Sequence, residues 1–195
     1  MYEKELAAMI QAALDAEKGI LKVYSKPFQV EIKSDNSPVT EADKGADTLI
    51  RQELGQAFPK YAFLTEESKD DKKRLENDYV FIVDPVDGTK EFVSRNGEFC
   101  TNIALAYKHE VVVGVINIPM KNVIYYAVKG EGAFKLEKGK QPVRIHGYLS
   151  NVWVDEDQDY FLTLTPLGEE AILEFTLPKK NVPLKKEPHT IRPLK

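Results

Sequence analysis

The sequence predicts an α+β fold, with helices packed on an antiparallel sheet. Three observations carry that expectation. Helical apolar spacing comes first, between Met1 and Pro59; short apolar runs suited to strands follow from Tyr61; and turn residues then separate four further runs at hairpin spacing. Helices followed by hairpins argue for a mixed class, not for alternating βαβ units.

In chain order, Leu6, Met9, Ile10, Ala13, Leu14, Ile20, Leu21 and Tyr24 predict an amphipathic helix over residues 3–24, stopped by Lys26-Pro27. Phe28, Val30 and Ile32 alternate with polar neighbours, a short strand leading into the turn Ser34-Asp35-Asn36-Ser37-Pro38. Thr40 then caps a second helix whose apolar face is Ala46, Leu49, Ile50, Leu54 and Ala57, ending before Pro59. Tyr61 to Thr65 and Tyr79 to Val83 read as buried strands joined by a charged, solvated segment from Ser68 to Asp78. Thr101 to Tyr107, Val111 to Ile118, Val123 to Val128 and Gly132 to Leu136 complete the sheet.

The character changes near His146. Asp155-Glu156-Asp157 and Asp159 form an acidic cluster, Tyr160 to Leu164 suits a strand, Glu169 to Phe175 suits a short helix, and Pro178, Pro183, Pro188 and Pro193 break up the end. The organisation expected is one domain over residues 1–146 and an atypical tail over 147–195.

Composition narrows the function classes. At 195 residues, 43% hydrophobic and 30% charged, the chain has the make-up of a globular protein. A formal charge of −4 argues against binding a nucleic acid polymer, which needs clustered Lys and Arg. The lone Cys100 excludes an intrachain disulfide and a thiolate zinc site. The opening residues lack signal-peptide character and no apolar run of about 18 residues occurs, so no integral membrane segment is expected. The expected location is the cytoplasm, with peripheral membrane association left open.

The chemistry concentrates in Asp84-Pro85-Val86-Asp87-Gly88-Thr89, preceded by Glu66-Glu67. Asp84, Asp87 and the Val86 carbonyl can converge on one or two hard cations beyond a strand end, with Glu66 closing the shell. A well-formed turn explains the hexapeptide alone equally well; the upstream acidic pair favours the metal. Gly88 and Thr89 open a short helix, where backbone N–H groups suit a phosphate or an ordinary cap. The Thr89 hydroxyl can orient a nucleophilic water if Asp43 takes or positions a proton, although Asp43 also suits simple helix capping. Lys33, Lys90 and Arg95 can neutralise substrate phosphate but read first as solvated surface, His109, His146 and His189 as structural or exposed, and Phe99, Tyr107 and Tyr125 as core.

VTEAD (Val39 to Asp43), TEES (Thr65 to Ser68) and DPVDGT (Asp84 to Thr89), in that order, resemble the magnesium-dependent, lithium-sensitive inositol monophosphatase family. KEFVSRNGEFCTNIAL, Lys90 to Leu105, resembles the branch that hydrolyses 3′(2′),5′-bisphosphate nucleotides. The resemblance covers about residues 1–146 and implies a sugar-phosphatase-like sandwich. It implies Mg2+ on Glu66, Asp84, the Val86 carbonyl and Asp87, phosphate on the Gly88 and Thr89 amides, and catalytic roles for Asp43, Thr89 and Glu66. Lys33 falls near a family lysine, with a loop one residue different in length.

The family's further metal-binding aspartate, in a Trp-Asp motif, has no counterpart here: Trp153 is followed by Val154 and Asp155. The 49 residues from Gly147 to Lys195 are too few for a full second layer. Three functions follow from the resemblance. The first is removal of the 3′-phosphate from adenosine 3′,5′-bisphosphate, giving AMP and phosphate; the second is an inositol or sugar phosphatase; the third is a relative that binds metal and phosphate without turnover. An incomplete layer also leads us to expect homo-oligomers, which light scattering would test.

Overall fold

A computed structural model describes residues 1–70 and 72–145 and the backbone of residues 161–167 and 170–176. It opens with helix α1, Glu3–Tyr24. Met9, Ala12, Ala13, Ala16 and Ile20 are its buried stripe, so the predicted periodicity is the one that packs. Arg95 donates to the Tyr24 and Lys26 carbonyls at the end of this helix, and its guanidinium lies over the Phe28 ring. That gives Arg95 a structural role.

Strands β1 (Val30–Ile32) and β2 (Pro38–Thr40) form an antiparallel hairpin with every residue of β1 exposed. Helix α2, Glu41–Ala57, starts in a capping box: Ala42 N donates to Thr40 Oγ1, and Thr40 N donates to Asp43 Oδ2. Ala42, Ala46, Ile50 and Leu54, four apart, form its buried face.

Seven strands follow in one sheet, in the order β3 (Ala62–Thr65), β4 (Tyr79–Asp87), β5 (Cys100–Tyr107), β6 (Glu110–Ile118), β7 (Val123–Val128), β8 (Gly132–Glu137) and β9 (Val143–Ile145). The short helix α3, Thr89–Ser94, links β4 to β5. Both long helices cover one face. There Phe81, Val83, Ile103, Leu105, Val113, Val115, Ile124 and Val128 meet the helix stripes in one buried cluster. Alternation puts Ala104, Ile116, Ala127 and Ala133 on the opposite face.

The sheet differs from the expectation in one pairing. It is antiparallel from β4 to β9, but β3 runs parallel to β4, with Thr65 opposite Val83. The Ser68 to Asp78 segment allows this, because it carries the chain back to start β4 at the same end as β3. That segment is also not wholly solvated: Lys73–Glu76 form a 3-10 turn, and Arg74 is buried with its guanidinium on Asp70. Strands β2 and β9 were not anticipated; three residues are too few to show a period.

Residues Phe161–Leu167 and Glu170–Thr176 are strands β10 and β11, paired antiparallel with each other. The expected helix at Glu169 to Phe175 is therefore a strand, because four apolar residues among seven are too few to separate the two periods. Trp153, Asp155 and Asp157 lie outside the described residues. Among the described residues no helix is long and apolar enough to cross a membrane.

Candidate active site

Parallel pairing builds the site. Because β3 and β4 point the same way, their C-terminal ends emerge side by side, and Glu66 N donates to Val83 O at 3.1 Å. Glu66 thus follows β3 just where Asp84 follows Val83 on β4. Strand β4 does not end at Val83 as the sequence suggested. It runs on through Asp87, with Asp84 opposite Asn102, Asp87 opposite Cys100 and a bulge between them. The bulge lets both carboxylates serve one place despite the two-residue strand period.

Asp84 is 7% exposed, and its Oδ1 has no hydrogen-bond partner. Burial, together with the charges of Glu66 and Asp87, pushes its carboxyl well above the ordinary range. Burial also raises Asp87, against the Asn102 amide that donates to its Oδ2 at 3.0 Å. Cys100 Sγ lies 3.8 Å from the same oxygen, and burial beside these acids pushes the thiol well up, leaving a protonated donor.

Asp43 joins this group from the first turn of α2. Its Oδ2 accepts from Thr40 N and Thr40 Oγ1, and its Oδ1 accepts from Thr89 Oγ1 at 3.1 Å. Oδ2 thus serves the helix cap, and Oδ1 is left to the Thr89 hydroxyl. Thr89 Oγ1 is also 3.0 Å from the Val86 carbonyl. One hydroxyl proton serves only one acceptor at a time, so the Val86 carbonyl is free to accept elsewhere when Thr89 turns to Asp43.

Gly88 joins strand to helix at φ +91°, and its carbonyl accepts from Phe92 N at 2.8 Å. A Cβ there would lie 2.7 Å from the Glu98 carbonyl. Gly88→Ala is therefore expected to destabilise by about 1–3 kcal/mol or more, read as a lower midpoint in urea unfolding.

Sequence reasoning set aside one residue that the fold brings in. Lys33 Nζ sits 2.9 Å from Glu66 Oε1 and 2.5 Å from Glu67 Oε1. Burial would lower this ammonium, but its bonds to Glu67 and Glu66 outweigh that and hold it above the usual lysine range. Glu67, raised by burial, faces Lys33 as well. Ser68 then anchors the loop, donating to Asp47 Oδ2 at 2.6 Å and accepting from Arg51 at 2.7 Å. Asn102 and Cys100 were also missed. Their only signal was alternation along β5, and the register against β4 is what brings them to Asp87.

The geometry gains a context from known proteins. The inositol monophosphatase family profile matches residues 1–161. The chain belongs to that family. It is 42% identical over 137 residues to the 3′(2′),5′-bisphosphate nucleotidase CysQ of Escherichia coli, a match covering 69% of this chain and 55% of that protein. Among solved structures, CysQ from Bacteroides thetaiotaomicron is 42% identical with TM-score 0.61, covering 70% of this chain and 50% of that one. The IMPase of Thermotoga maritima is 28% identical with TM-score 0.64, covering 76% and 54%. The chain spans about half the length of the relatives it matches.

Among the described residues, no three His, Cys, Asp or Glu side chains converge closely enough to hold a metal ion as they stand. The donors nevertheless suit a hard cation in kind. They are carboxylates and a carbonyl, one buried carboxylate oxygen is unpaired, and burial with mutual repulsion disfavours the ionised acids. Glu66 reaches both ways, its Oε1 accepting from Lys33 at 2.9 Å while its carboxylate also lies within hydrogen-bond reach of Asp84.

Proposed function

We infer that this chain carries the catalytic part of a magnesium-dependent phosphomonoesterase. Its foremost substrate is the 3′-phosphate of adenosine 3′,5′-bisphosphate, yielding AMP and inorganic phosphate. One observation carries the reading: the part-buried Asp43–Thr89 hydrogen bond lies at the same end of the sheet as Glu66, Asp84 and Asp87. The two CysQ relatives at 42% identity support the substrate class.

The roles divide by chemistry. Thr89, donating to Asp43, keeps a lone pair for a water proton and so aims the water oxygen at phosphorus. Asp43 takes charge from that chain, helped by burial that raises its proton affinity. Glu66, Asp84, the Val86 carbonyl and Asp87 would hold Mg2+, which when bound supplies positive charge to the phosphoryl oxygens and eases deprotonation of water. The Gly88 and Thr89 amides would hold the phosphate. As the water oxygen bonds to phosphorus, the bond to the 3′-oxygen breaks, and a proton returns to that oxygen to form the hydroxyl.

Phosphate release from adenosine 3′,5′-bisphosphate and from inositol 1-phosphate, each with Mg2+ and with EDTA, tests this. Release that needs Mg2+ and favours the bisphosphate is expected. Faster release from inositol 1-phosphate would select the inositol or sugar phosphatase instead. The Lys33 ammonium on Glu66 favours one second reading, a protein that binds metal and phosphate without turnover. Calorimetric Mg2+ binding with no release from either compound would establish it.

A further inference from the structure

Lys33 lies at the tip of the β1–β2 hairpin, where its carbonyl accepts from Asn36 N at 3.0 Å and its amide donates to Ser37 O at 2.8 Å. Its ammonium leaves the hairpin and crosses to the loop after β3, bonding Glu66 and Glu67 together. The Glu67 side chain is 6% exposed and that of Lys33 22%, so solvent screens these charges only in part. Beyond this pair, the hairpin is tethered by Glu31 of β1, which accepts from Lys44 of α2 at 2.7 Å in an exposed salt bridge. All three residues of β1 are exposed, and Ile32 is 66% exposed, so apolar packing does not hold it down.

The same Glu66 borders the buried, unpaired Oδ1 of Asp84. An ion bound to Glu66 Oε1 at a usual magnesium–oxygen distance would lie within about 5 Å of the lysine nitrogen where it now stands. A dication and an ammonium that close repel strongly in a partly dry site. A cation at Glu66 therefore competes with the lysine for the same carboxylate.

We propose that Lys33 is a built-in stand-in for the divalent cation at Glu66 and Glu67, and that a cation entering among Glu66, Asp84 and Asp87 displaces it and releases the hairpin tip. This rests on the cation-binding reading above. The hairpin continues through β2 into Thr40, whose amide and hydroxyl hold Asp43. Cation entry is thereby coupled to the strand that positions the Asp43–Thr89 pair. Lys33 acts through Glu66 and is a positioning residue.

The test titrates the full chain with MgCl2 by calorimetry, comparing wild type with Lys33→Met, Lys33→Gln and Lys33→Arg. Loss of two partly screened charge pairs predicts Mg2+ affinity about fivefold or more higher in the two neutral variants, with Lys33→Arg near wild type. Hydrogen exchange at the Asn36 amide supplies a second readout. Mg2+ accelerates it in wild type, whereas in Lys33→Met it is fast from the start and insensitive to Mg2+. Wild-type binding with unchanged or weaker affinity in the neutral variants overturns the lysine exchange alone. No binding by any variant overturns the cation reading and the exchange together.

Discussion

Asp84→Asn is expected to stabilise the metal-free protein and to abolish its stabilisation by magnesium. Asp84 is 7% exposed, and its neighbours Glu66 and Asp87 are also acids. Replacing a buried, repelled charge by a neutral group of the same shape is worth about 1–3 kcal/mol. For a chain of this size each 1 kcal/mol moves Tm by about 2–4 °C. The sign of the pH dependence follows from linkage. A carboxyl raised on folding binds more protons in the native state, so its contribution is fully present below the ordinary value of 3.8 and is lost as pH rises through the elevated native value. Thermal melts without metal should therefore show wild type losing ground to Asp84→Asn across that window. With Mg2+ the gap closes or reverses, since saturation at about 100 times Kd adds about 2.7 kcal/mol to a protein that retains its ligand. Equal magnesium-induced shifts in both proteins would remove Asp84 from the cation site.

Thr89→Val and Asp43→Asn should each reduce phosphate release by about 10²–10⁴-fold, the usual contribution of a positioned proton-transfer group. Valine keeps the volume of Thr89 while removing the hydroxyl that donates to Asp43. Asparagine keeps an oxygen for the Thr40 amide, so the capping bond at the start of α2 survives. The double variant should be little worse than the worse single one, because each change breaks the same relay. Both single variants should still show a magnesium-induced rise in Tm. That separates lost proton handling from a lost metal site. Full activity in Thr89→Val would eliminate the relay.

Much of the fold was legible because its signals are local. The stripe of α1 and the Thr40–Asp43 cap of α2 each depend on residues within a turn or two of each other. The hairpin strands β5 to β8 were legible for the same reason, since antiparallel neighbours follow one another in the chain. The parallel pairing of β3 with β4 was not. Its register depends on a connection of charged residues whose only buried anchor, among those described, is Arg74.

The site divides along the same line. Glu66, Asp84, Asp87, Gly88 and Thr89 announce themselves by residue type and order. Lys33, Asn102 and Cys100 do not, because an isolated lysine or a polar residue on a strand usually means surface.

By itself, then, the sequence determined both long helices and most of the strands, the acidic residues available for a cation and the family to which the chain belongs. Tertiary structure alone decided that two strand ends point the same way, which sets Glu66 beside Asp84, and that a lysine 33 residues away in the chain occupies Glu66. The physical reason is range. Helix periodicity and capping are settled within a few residues, whereas burial of like charges and their neutralisation depend on which distant segments the core brings to the same place.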